Sequence, residues 1–352
     1  MNDHSTFWQT IPRGLIISSL ILAIVLMITR LPGLAEMFLI IFAGILLGVF
    51  LVGLVTLLKE YTPLSHSWAV ALVLTFFGGL MVGTGWIIGL PLADQFDRLY
   101  ERLGQGIEHI HRRIEKTSWA QPFIPKQLNV QTVLSNSGTV PSSITGFLST
   151  SLGIVANIVI ILFIGIYLTV NPDSYITNGL RILPTDKRAR AREVMSALGR
   201  GLRSWLYGRL TTMAAVGILT AVGLLIVGLP LAWTLGIIAG LLAFVPYIGP
   251  ILSVIPAVLV ALAEDPALVG PVLLVYLIVQ TVESYLLTPL IQKKAVAIPP
   301  ALLISVQVLL GVLIGSVGVM LATPLTVTVI VLIQLLYIED VLGETVRIAG
   351  KH

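Results

Sequence analysis

Tyr276, Gln280 and Glu283 lie in a 352-residue chain, inside the otherwise apolar run GPVLLVYLIVQTVESYLLTPLI. Spacings of four and three put these side chains on one helical face, which Leu287 continues. An ionisable residue at membrane depth is costly and rare, and is by default a functional hypothesis. A carboxylate there can bind a cation, exchange a proton or accept hydrogen bonds from a hydroxyl-rich solute; Gln280, Tyr276 and the adjacent Ser284 can add hydrogen bonds. The same carboxylate can instead be packing glue, bonded to a neighbouring helix or to a cation such as Arg209. The alignment of phenol, amide and carboxyl favours the first reading. Under either one, this face points into protein or a wet cavity.

A second constellation lies just before it. LLAFVPYIGPILSVIPAVLVAL, residues 241–262, is apolar throughout yet holds Pro246, Pro250 and Pro256. Each interior proline removes a backbone donor and clashes with the carbonyl four residues back, at about 3 kcal/mol. Non-helical backbone at membrane depth is tolerated only where it is buried in protein or lines a cavity. Secondary transporters build their binding sites from such discontinuous helices. Pro246-Tyr247-Ile248-Gly249-Pro250 is therefore expected to be a break, with Gly249 as a flexible point, Tyr247 as a hydrogen-bonding group and Pro256 as a second bend. Pro289, Pro299-Pro300 and Pro324 interrupt the remainder of the C-terminal third.

The elements that must position these groups are membrane helices. The chain is 56% hydrophobic and 11% charged, with a mean hydropathy of +0.99, whereas a soluble domain is roughly 25% charged. Apolar runs fall at about 13–30, 34–58, 68–92, 151–170, 209–229, 232–262, 267–290 and 301–338. Runs of about 20 residues match the hydrocarbon thickness. The expected fold is an all-α polytopic membrane protein of about eight segments, with proline-broken or re-entrant helices in its C-terminal half. It divides into N-terminal spans (1–93), an extracytoplasmic segment (94–150), a span (151–170), a basic cytoplasmic segment (171–208), a transport core (209–340) and a tail (341–352). The run from Arg13 is too long for a signal-peptide core and lacks a small-residue cleavage site, so it is expected to be retained.

Several kinds of chemistry lack their residues. There is no cysteine, no phosphate-binding G-x-x-x-x-G-K-[ST] loop and no H-E-x-x-H pair. All five histidines fall outside the apolar runs. No enzyme, metal, cofactor or nucleic-acid partner is expected; the basic residues set membrane orientation instead. Between 171 and 208 they include Arg181, Lys187, Arg188, Arg190, Arg192, Arg200 and Arg203, which places that segment and both termini in the cytoplasm.

Within 94–118, apolar residues at Phe96, Leu99, Leu103, Ile107, Ile110 and Ile114 mark an amphipathic helix. It rests on the bilayer or on its own domain, or contacts a neighbouring subunit. His109 and His111 are two apart, on different faces, which disfavours a metal site. Gly44/Gly48, Gly79/Gly83, Gly236/Gly240 and Gly311/Gly315 have the spacing of close helix packing. Glu264 and Asp265 suit a solvated turn, and Gln307 and Gln334 suit interhelical hydrogen bonds. If 232–262 dips in and returns to one side, Lys293 and Lys294 become cytoplasmic, and 301–338 must be a helix pair bent near Gly315–Gly318.

Taken in order, Arg203-Ser-Trp-Leu-Tyr-Gly208, Gly228-Leu-Pro230, Val245-Pro-Tyr-Ile-Gly-Pro250, Gln280-Thr-Val-Glu283, Pro289-Leu-Ile-Gln292 and Ala322-Thr-Pro-Leu325 resemble the autoinducer-2 exporter family of bacterial membrane proteins. The chain departs from that pattern at Ala243, where an asparagine is usual, at Arg209, where a glutamine is usual, and at Ser284-Tyr285, where Gly-Asn is usual. The resemblance implies a pentameric homo-oligomer of the bacterial plasma membrane that moves a small polar signal outward or exchanges sodium for protons. With the residues above, it leads to the expectation of a secondary transporter working by alternating access. A membrane scaffold that recruits partners through the 94–118 helix is the reading from a different class.

Overall fold

The computed structural model describes residues 32–80, 82, 83, 99, 102, 144–291 and 298–344, and among them every regular element is helical. In chain order these are α1 (Pro32–Tyr61), α2 (His66–Leu80), α3 (Ile144–Val170), α4 (Pro172–Leu180), α5 (Arg188–Val227), α6 (Ala232–Leu242), α7 (Ile248–Glu264), α8 (Val269–Val282), α9 (Pro300–Ile314) and α10 (Ser316–Leu332). Two helices continue past their α-helical ends. A wide π turn, Glu283–Leu287, carries α8 into Thr288–Ile291, and another, Ile333–Glu339, extends α10. Among the described residues, four helices are long and apolar enough to cross a bilayer alone: Gly33–Tyr61, Thr185–Val227, Pro266–Leu290 and Ser316–Glu339. Val155–Val170 with Pro172–Leu180 makes a further candidate, bent by 89° at Asn171. The chain is an all-α polytopic membrane protein. The expected span 13–30 and most of the 94–118 helix lie outside the described residues.

The contacts divide the chain into two compact units. The first takes the described parts of Met1–Val73, Ile160–Tyr207 and Lys294–His352. Between lipid-bathed helices there is no hydrophobic drive, so close packing of small residues does the work. Gly44 and Gly48 of α1 lie against Ile164 and Leu168 of α3, and Gly165 lies against Leu47. The Gly79/Gly83 pair has no such role among the described residues, where a Cβ at either glycine would meet nothing within 4 Å. α9 and α10 fold back on each other: Gly311 faces Val319, and Gly318 packs on the Leu310 carbonyl. The reversal is made at Gly315, whose φ of 82° and ψ of −153° suit glycine almost alone. The expected bend near Gly315–Gly318 is therefore a full helical hairpin. Gln307 is wholly buried in it.

The second unit takes the described parts of Leu74–Val159 and Gly208–Lys293. Its core joins Leu224 of α5, Leu235 and Ala239 of α6, Ala257, Val260 and Ala261 of α7, and Val272 of α8. α6 runs back along α5, because Gly236 and Gly240 press on Gly217 and its neighbours Ala221 and Met213. Leu99 is buried in this same core, and Arg102 pairs with Glu264 at 2.5 Å. Those two described residues of the amphipathic stretch thus dock on their own unit. Asp265 caps the following turn through the Ala267 N–H, as a solvated turn would.

α5 is continuous from Arg188 to Val227, through the expected 208/209 division between the basic segment and the following span. Val194, Ala197, Gly201 and Trp205 are its buried side before Arg209. That three-to-four spacing carries the helix through the arginines.

Candidate functional site

In the second unit the chain leaves helical geometry at Ala243 and resumes it at Ile248. Pro246 lies within the break, and Tyr247 takes φ 65° and ψ −53°, a positive-φ conformation rare for an aromatic residue. The next turn explains why the chain tolerates it. Gly249 is buried so close to α6 that a Cβ there would overlap the Leu242 carbonyl oxygen. The glycine is required by this approach of backbone to backbone, whatever flexibility it adds. Pro250 falls in the first turn of α7, where backbone N–H groups lack intrahelical partners in any case, and its carbonyl accepts from the Ser253 hydroxyl. Pro256 is the true interior proline and releases the Leu252 carbonyl. α6 has 11 residues and α7 has 17. At 1.5 Å per residue these are about 16 and 25 Å long, each short of the roughly 30 Å of hydrocarbon.

Glu283 opens the π turn that interrupts α8. Pro289 lies in the α-helical turn that follows, Thr288–Ile291, and without an N–H it cannot bond back to Tyr285. The Thr288 N–H reaches five residues back, to the Glu283 carbonyl. Such bulges often mark functional sites. They shift the helical phase, so the face expected for Tyr276, Gln280 and Glu283 holds up to the glutamate and turns after it.

The structure brings Arg209, the carbonyls of the break and Glu283 together. Arg209 projects from α5 and is 3% exposed; Glu283 is 6% exposed. The guanidinium Nη1 lies 3.5 Å from Glu283 Oε1, Nε donates to the Phe244 carbonyl at 3.2 Å, and Nη2 donates to the Ala243 carbonyl. All three donating nitrogens of the fork are thus aimed at oxygen. Glu283 Oε2 is buried and has no hydrogen-bond partner among the described residues. The remaining expected site residues separate. Tyr276 is buried, but its hydroxyl donates to the Ser253 carbonyl at 3.0 Å and so ties α8 to α7. Gln280 is half-buried and bonds the exposed Ser284 at 3.2 Å. Tyr247 is 44% exposed. Residue types could not show the Ala243 and Phe244 carbonyls as functional groups, because they are backbone; only the proline pattern hinted at them. Among the described residues no group of three His, Cys, Asp or Glu could hold a metal.

The site is thus an internal cation and carboxylate set against an interrupted helix. The family model described as AI-2E family transporter matches residues 15–338. The chain belongs to the AI-2E transporter family. Among the relatives of this AI-2E chain, YueF of Bacillus subtilis is 29% identical over 294 residues, covering 80% of this chain and 79% of its own, and its name is that of a proposed transport protein. YrrI of the same organism, also named as a proposed transport protein, is 26% identical over 304 residues, covering 81% and 84%. PerM of Escherichia coli K12, named as a proposed permease, is 26% identical over 333 residues, covering 86% and 90%. These are names of transporters and permeases, not of enzymes. Arg209 and Ala243, at which the sequence was expected to depart from the family pattern, are bonded to each other here.

Proposed function

We propose that this AI-2E family member is a secondary transporter that exports a small polar solute or signal of the autoinducer-2 type by alternating access, without nucleotide hydrolysis. The observation that carries this is the buried Arg209–Glu283 pair, seated on the carbonyls that end α6 at the break of the α6–α7 hairpin. A pair held by one salt bridge and two backbone acceptors has alternatives within reach: a solute hydroxyl can take the place of either partner. Movement of the hairpin then changes which side of the membrane the site faces. On this reading the protein works in the bacterial plasma membrane as a homo-oligomer, pentameric by resemblance, with both termini cytoplasmic.

The test is flux in proteoliposomes, native chain against Glu283→Gln, with a labelled furanosyl signal molecule. Export activity lost in a variant that still elutes as the native oligomer supports the reading. Equal flux in both removes Glu283 from the site. No flux in well-inserted native protein turns the argument toward a membrane scaffold. One observation favours a second reading, sodium/proton exchange: the unbonded Oε2 of Glu283 could take a proton. A pH-sensitive dye in the same vesicles separates the two, since an exchanger acidifies or alkalinises the lumen on a sodium gradient and moves no organic solute.

A further inference from the structure

The donors around Arg209 are those that would suit a different guest. The carbonyls of Ala243 and Phe244, just past the end of α6, lie at the negative end of a helix dipole and accept from Arg209. With Glu283 Oε1 they form an oxygen cage of one carboxylate and two backbone carbonyls. Such donors hold hard monovalent cations in transporters with interrupted helices. In this chain every one of the three is directed at the guanidinium.

We propose that Arg209 is a tethered cation filling the place of an inorganic one, so that this transporter works without a bound sodium ion. The inference rests on Glu283 lying in the transport site. The charge count supports it: one guanidinium already neutralises one carboxylate. A second cation would arrive at a buried position with no counter-charge, which is strongly unfavourable. Geometry adds to this, because Arg209 occupies both carbonyls and faces the carboxylate, leaving only Oε2 without a partner among the described residues. The side chain is anchored on α5, so this cation cannot dissociate. It can only swing away from the break when the hairpin moves.

The experiment measures binding, not flux, on the full chain purified in detergent. Thermal unfolding is followed in sodium chloride and in choline chloride at equal ionic strength, with radiolabelled sodium binding in parallel. The native protein should unfold at the same temperature in both salts and retain no sodium. Arg209→Gln keeps hydrogen-bonding capacity toward the carbonyls and removes the charge, so it should be less stable in choline, recover saturably with sodium and retain label. Adding Glu283→Gln should abolish that gain. Arg209→Lys keeps a cation and should stay insensitive to sodium. Saturable sodium binding by the native chain, lost in Glu283→Gln, would overturn the proposal, and so would a folded Arg209→Gln protein that takes up none. The native measurement decides even if Arg209→Gln does not fold. Because none of these readings needs transport, absence of both solute and proton flux would sink the transport function while leaving the sodium result to be judged alone.

Discussion

The Arg209–Glu283 interaction is defined by what remains when one partner is removed. Both groups are almost wholly buried, so truncating one leaves the other as an uncompensated charge. Breaking a buried pair in this way costs roughly 3–5 kcal/mol, whereas replacing both partners with apolar residues of similar volume is often neutral or stabilising. Glu283→Ala should therefore lower the denaturation midpoint sharply, and Arg209→Met/Glu283→Met should recover most of that loss, less the cost of two carbonyls without donors. A thermal or denaturant titration of the three proteins checks this. A double variant no more stable than Glu283→Ala would mean that the side chains are not partners. Gly249 behaves differently at this scale: any side chain there meets the Leu242 backbone, so its substitution displaces α7 as well as testing for a hinge.

Among the elements, the two helical hairpins are the features that the prolines and glycines encode, and each is made by a different device. α6–α7 turns through an irregular segment with Pro246 and a positive-φ Tyr247. α9–α10 turns on Gly315 alone, where ψ of −153° with φ of 82° lies in a region essentially reserved for glycine. Gly315→Ala should thus destabilise the first unit by about 1–3 kcal/mol and reduce the yield of monodisperse protein. Equal melting of the two proteins would show that the turn relaxes at no cost. Much of this was legible beforehand. Three prolines in an apolar run announced the first break, and the Gly315–Gly318 cluster announced the second. The length of α5 was hidden, because six arginines from Arg188 to Arg209, Arg209 included, read as an interruption of hydrophobicity while Val194, Ala197, Gly201 and Trp205 kept the helical period beneath them. The pairing of Glu283 with Arg209 could be named only as one option, since 74 residues separate them and nothing local specifies the partner.

For the molecule as a whole, the hairpins decide how many times the chain crosses the membrane, and each unit makes its own statement. In the second unit α6 returns along α5 and α7 returns again along α6, so the loops at Pro230 and Asp265 should open on one side of the bilayer. In the first unit Arg190, from the basic stretch, pairs with Glu193 at 2.6 Å and with Asp340 at 2.9 Å, and donates to the Leu335 carbonyl at 3.2 Å. The end of α10 therefore lies beside the basic segment, and Ile182 and Val341 should share a side, the cytoplasmic one by the positive-inside rule. Native cysteine is absent, so single cysteines can be placed without background. A membrane-impermeant maleimide applied to intact cells should label Pro230→Cys and Asp265→Cys alike, and should reach Ile182→Cys and Val341→Cys only after permeabilisation. Opposite labelling of Pro230→Cys and Asp265→Cys would make α6 and α7 a single crossing. The break would then lie within a spanning helix, and Arg209 would brace that helix from the side instead of closing a re-entrant loop.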